Sequence, residues 1–134
     1  NGNLNEDEDF YFNNQLNREY LQFFYEGDYE YAADMFDTFL SVSSKEFDGL
    51  MDFLNNEQWE DSRKLLHKVK PTFAMVGLTQ FEQPINNLQN LLREDNINKK
   101  ETAKIGKQLE DELNFFKPIL KKDLKKMKLF NENN

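Results

Sequence analysis

The sequence predicts an all-α protein: an up-and-down, antiparallel four-helix bundle with a short additional N-terminal helix across one end. Apolar residues recur at three- and four-residue steps through most of the chain, and no period-2 alternation of β-branched residues persists. Helix-interrupting residues are scarce, with five glycines and three prolines in 134 residues. That length suits one domain with a single core. The short intervals between the periodic segments make successive helices antiparallel neighbours.

Residues 1–13, rich in Asn, Asp and Glu, read as an acidic leader or linker, and residues 14–130 as the bundle. A first short helix over residues 14–26 sets Leu16, Tyr20, Phe23 and Phe24 on one side. It stops at Gly27, since glycine tolerates positive φ. Asp28 suits the N-cap of a second helix over residues 29–54, where Ala32, Phe36, Phe39, Ser43, Phe47, Leu50 and Leu54 repeat at helical steps. A third helix runs from Asn56 to Gly77. A fourth, over residues 79–95, opens with Thr79-Gln80-Phe81-Glu82, which fits a capping box, and buries Phe81, Ile85, Leu88 and Leu92. Asn98 and Glu101 form a further capping pair ahead of a long fifth helix carrying Ile105, Leu109, Leu113, Phe116, Leu120, Leu124 and Met127 in register. Pro71 and Pro118 predict bends inside helices, and Pro84 is expected to mark the true start of the fourth.

Cysteine is absent, so disulfides and thiolate metal sites are excluded. No apolar run approaches the roughly 20 residues that span a bilayer, and there is no secretory h-region. A soluble, cytoplasmic protein without membrane contact is the expectation. The opening Asn1-Gly2-Asn3, lacking an initiator methionine, points to an excised domain or a cloning remnant. The net charge of -8 hides an asymmetry: residues 1–62 hold sixteen Asp/Glu against two Lys/Arg, and residues 63–134 hold nine against fifteen. Overall acidity argues against nucleic acid as a partner. The basic half could meet an acidic partner or solvate a helix that faces an acidic neighbour.

The chain has one histidine, His67. At 100° per residue, Trp59, Ser62, Leu65, Leu66, Val69, Phe73 and Val76 share an apolar stripe whose centre lies roughly 145° around the helix from His67. The imidazole therefore faces solvent. Its neighbours one turn away are Arg63, Lys64, Lys70, Pro71 and Ala74, a cationic face that is sterically low on its C-terminal side. A neutral imidazole has a free nitrogen lone pair that can attack phosphorus, and cations suit the dianion that results. From this local pattern alone, an ordinary surface histidine on a solvated basic face is the simpler explanation.

The spacing around His67 extends further. Lys70, Pro71, Gly77 and Phe81 stand three, four, ten and fourteen residues after it, Ala74 lies between, and Trp59 opens the helix. Tyr20-Leu21 followed by Gly27-Asp28 adds a first helix and its turn. Over residues 16–120 this pattern resembles the histidine-containing phosphotransfer (HPt) domains of multistep phosphorelays. The family has glycine where this chain has Pro71, which bears on docking geometry more than on chemistry.

The resemblance implies a phosphocarrier in two-component signalling. His67, through Nε2, would take a phosphoryl group from an aspartyl phosphate of a response-regulator receiver domain and pass it to another aspartate. Lys70 would stabilise the phosphoryl oxygens as a compact charge, with Lys64, Arg63 and Arg93 adding positive potential. Gln89 would hydrogen-bond the other ring nitrogen and orient the histidine, while Pro71, Ala74 and Gly77 would meet the partner. Receiver domains, and a hybrid sensor histidine kinase, are the implied partners of a monomeric chain. No cofactor is expected, since Mg²⁺ would come with the receiver domain. With no Gly-rich phosphate cradle and no Walker-type lysine, ATP-dependent kinase activity is not expected.

Two other classes are open. A helical interaction module could dock a receiver or other signalling domain without being phosphorylated, in which case His67→Ala leaves binding and signalling intact. A di-iron bundle enzyme needs two inward-facing Glu-x-x-His pairs. This chain has one histidine, preceded at i-3 by Lys64.

Overall fold

The computed structural model describes residues 9–134, and these are helical with no strand among them. Seven α-helices follow one another: α1 (Arg18–Tyr25), α2 (Tyr29–Thr38), α3 (Ser44–Phe47), α4 (Leu50–Asn55), α5 (Trp59–Ala74), α6 (Glu82–Leu91) and α7 (Lys99–Asn133). A π-helical turn, Phe39–Ser43, joins α2 to α3, and a 3₁₀ turn, Thr79–Phe81, leads into α6. Helix α7 packs on α2, α4 and α6, while α5 packs on α3, α4 and α6. The run from α2 to α4, then α5, α6 and α7, thus close around one core. None of the described helices is long and apolar enough to cross a membrane.

The expected second helix is broken into α2, the π turn, α3 and α4, yet all seven of its predicted apolar-face positions are buried. The wider π turn coincides with hydroxyls that bond back to the chain, Ser41 to the Asp37 carbonyl and Ser44 to that of Leu40. At the centre, Phe73 stands edge-on to Phe39 and Phe47 and stacks on Phe81 with ring centroids 4.7 Å apart. The long helix α7 buries Leu109, Leu113, Phe116, Leu120, Leu124 and Met127, with Ile105 half-buried. It continues through Pro118, as α5 does through Pro71.

Caps follow the sequence in two places and depart from it in a third. Asp28 accepts from the Tyr31 amide and Asn98 from the Glu101 amide, each at 3.0 Å. The capping box expected at Thr79–Glu82 does not form. The Thr79 hydroxyl instead accepts from Asn17 Nδ2, whose Oδ1 caps α1 through the Tyr20 amide. Helix α6 starts at Glu82, ahead of Pro84, which sits in its first turn where a missing N–H leaves no bond unmade. Helix α5 starts at Trp59 rather than Asn56, because Glu57 takes a left-handed φ of 57° that no α-helix admits.

The N-terminal region needs the largest correction. Because α1 begins only at Arg18, Leu16 lies outside it and the helical phase counted from Leu16 does not hold. Leu21 and Tyr25 form the buried side, Tyr20 and Phe24 are half-buried, and Phe23 is 79% exposed. The packed region also begins earlier than residue 14. Phe10 and Phe12 are buried among Tyr29, Phe36 and Phe130, and the rest of the expected leader, residues 1–8, lies outside the described residues.

This segment is held by Asp123 of α7, a wholly buried carboxylate whose Oδ2 accepts the Asn13 amide at 2.7 Å. Its Oδ1 has no partner among the described residues. Burial pushes the Asp123 carboxyl above its ordinary range, against the pull of the Asn13 bond and the charges of Lys126, Arg18 and Lys122.

Candidate functional site

Helix α5 carries Ser62, Leu66, Val69 and Phe73 into the core, with Trp59 and Leu65 half-buried at its margin. His67 stands on the opposite, exposed side, as the helical phase requires. Three of the polar side chains around it have partners: Lys68 pairs with Glu46, Lys70 bonds Asn86, and Arg63 bonds Glu60 and the Leu92 carbonyl. His67 itself has no hydrogen-bond partner or ion pair among the described residues.

Two recesses meet at the imidazole. On one side lies a cleft of about 630 Å³ whose rim is formed by Tyr20, Lys70, Pro71, Ala74, Thr79 and Glu82. On the other, a shallower groove is lined by Arg63, Lys64, Gln89 and Arg93. Helices α5 and α6, packed side by side, supply most of both walls, and α1 adds Tyr20. Each recess opens on His67, so a group entering either one reaches the ring without passing through protein.

The charges differ between the two sides. Lys70 is half-buried and donates Nζ to Asn86 Oδ1 across the α5–α6 contact. Glu82 is the carboxylate of that cleft. In the groove, Arg63 is anchored to α6's end through Leu92, Arg93 bonds Asn90 at 3.1 Å, and exposed Lys64 has no ion-pair partner among the described residues. Gln89 is buried against the same groove, without a hydrogen bond to His67. Such a site presents a nucleophilic nitrogen in an excess of positive charge, which suits a polyanionic group.

Eight of the nine residues singled out in the sequence therefore line the two recesses: His67, Lys70, Lys64, Arg63, Arg93, Gln89, Pro71 and Ala74. The ninth, Gly77, does not belong to a docking face. It is buried, with φ at 78°, and its carbonyl accepts the Asn17 amide at 2.8 Å. A Cβ there would stand 2.7 Å from Leu21 Cδ1 and 3.0 Å from Leu16 Cβ. Gly77 is needed for the close approach of the segment that carries Tyr20, and so acts on the cleft through packing.

Sequence reasoning did not assign Tyr20, Thr79, Glu82 or Asn86 to the site. For Asn86 a signal was present, because it precedes Gln89 by three residues and so shares its face of α6. Tyr20 reaches the cleft through the packing of α1 against the α5–α6 connection, and Thr79 and Glu82 through the packing of that connection and α6 on α5, which no local pattern encodes. Among the described residues no cluster of three or more His, Asp or Glu side chains is arranged to hold a metal ion. Compared with protein-family models, curated proteins and solved structures, the chain finds no match.

Proposed function

We propose that this chain is a histidine phosphotransfer protein of a two-component phosphorelay, a cytoplasmic phosphocarrier that exchanges a phosphoryl group with aspartates of receiver domains. In this reading the α2–α4 run, α5, α6 and α7 are the four antiparallel rods of the bundle, and α1 crosses one end. The observation that carries it is the meeting of two recesses at an exposed, unpartnered imidazole, with Lys70 on one side and Arg63, Lys64 and Arg93 on the other.

The chemistry is a phosphoryl exchange. The Nε2 lone pair forms the N–P bond while the bond from phosphorus to the aspartyl acyl oxygen breaks, its electron pair leaving with the carboxylate. Nδ1 keeps its proton, so the ring becomes cationic and offsets part of the phosphoryl charge. Reversal on a second receiver returns neutral imidazole. Little bond-making chemistry falls to the protein, so positioning and charge stabilisation dominate. Lys70 meets the phosphoryl oxygens, the groove cations add longer-range potential, and Gln89 lines the groove beside the ring. Exposed Pro71 and half-buried Ala74, with no long side chain, leave room for a partner's surface.

The test is direct. A purified receiver domain carrying a labelled aspartyl phosphate is mixed with the chain, and the product is tested for acid-labile, base-stable label. Transfer that disappears in His67→Gln is expected. No label, or label retained in that variant, overturns the reading.

A further inference from the structure

We infer, resting on the phosphocarrier reading, that Asn86 is a positioning residue for Lys70: a neutral amide that anchors the ammonium beside His67 without cancelling its charge. The bond runs from Lys70 Nζ on α5 to Asn86 Oδ1 on α6, between two half-buried side chains. A free lysine side chain samples many rotamers, and its ammonium sweeps a wide volume. Tied to α6, it stays on the cleft side of His67. An ammonium has three donors and no acceptor, so one goes to Asn86 and two remain for phosphoryl oxygens.

The choice of anchor sets Lys70 apart. Every other lysine with a side-chain partner among the described residues, namely Lys68, Lys99, Lys107 and Lys117, meets a carboxylate. A carboxylate holds an ammonium and offsets its charge, which suits a surface tie better than direct contact with an anion. Lys70 alone in this set is held by a neutral group, and Lys70 alone in this set borders the His67 cleft. Asn86 also precedes Gln89 by three residues, so one face of α6 supplies both the lysine's anchor and a buried polar group of the adjoining groove.

The experiment is single-turnover transfer from a phosphorylated receiver domain to His67, with circular dichroism confirming the fold. Asn86→Ala is expected to slow transfer roughly threefold to tenfold, the range that freeing a lysine's rotamers allows. Asn86→Asp keeps the acceptor and the volume but adds a negative charge, and is expected to slow transfer at least as much. In a Lys70→Ala background Asn86→Ala should have no further effect, because the two residues act as one unit. An unchanged rate in Asn86→Ala, an equal loss with Lys70 already removed, or a faster Asn86→Asp overturns the inference while leaving the phosphocarrier reading intact. Should Asn86→Ala fail to fold, Asn86→Asp decides. Absence of label on the unaltered chain overturns both.

Discussion

His67 and Asp123 are polar side chains set in helices at two regions of the molecule, and the fold treats them in opposite ways. His67 is left in water, without a partner, where two cation-bearing recesses meet. Asp123 is taken wholly out of water and given one partner, the Asn13 amide, which fastens the N-terminal segment to α7. The first arrangement contributes nothing to holding the chain together and leaves a reactive atom free. The second is structural, and its carboxyl is held above its ordinary range by the burial that makes it an anchor. Between them runs one stretch of chain: Asn13 on Asp123, then Leu16 and Asn17 against Gly77, then Tyr20 at the His67 cleft. Packing at one region therefore shapes the wall of the other.

The largest expected effect separates the two regions outright. His67→Gln should abolish phosphoryl transfer with an unaltered urea midpoint. A loss of stability there would mean that the exposed face is structural after all.

Gly77 tests the connection between them. Gly27 and Gly77 both have positive φ, at 82° and 78°, but a Cβ at Gly27 meets nothing within 4 Å. Gly27→Ala should cost roughly 1–2 kcal/mol, the left-handed strain alone. Gly77→Ala adds overpacking against Leu21 and Leu16, for a total of roughly 2–5 kcal/mol, and should slow transfer by displacing Tyr20. Equal midpoint shifts in urea would show that the close approach at Gly77 has no energetic weight.

Lys70→Ala should slow transfer about tenfold with helical circular dichroism unchanged. That is less than the 10²–10³ lost at enclosed oxyanion sites, because this cleft is open to water and its field is screened. A loss of fold instead would put Lys70 on the structural side of the comparison.

The smallest effect concerns Asp123. Its folded carboxyl binds a proton more tightly than the unfolded one does, so its contribution to stability is full below the ordinary aspartate range and is lost as pH rises through the raised value. Asp123→Asn, neutral throughout, should gain on the native chain as pH rises from about 4 to about 7, read as the difference in urea midpoints. Parallel curves would show that the carboxylate is well solvated.

The helical class, the seven-position register of the second segment, the exposed face of His67 and the caps at Asp28 and Asn98 were legible because each follows from a period of 3.6 or from a side chain acting on its own next turn. The same local logic failed at Thr79, whose hydroxyl serves Asn17 rather than its own helix, and at Gly77, expected as the end of the third helix and a docking residue but buried against Leu16 and Leu21 three residues beyond the helix end at Ala74. Tyr20, Glu82 and Asn86 in the site, and Asp123 as the anchor of Asn13, depend on contacts between residues 16 to 110 positions apart. Periodicity along one helix cannot specify such contacts, since they arise where separate faces meet. Which side of α5 the histidine occupies is written in the chain; what surrounds it there is settled by how α1 and α6 pack against that side.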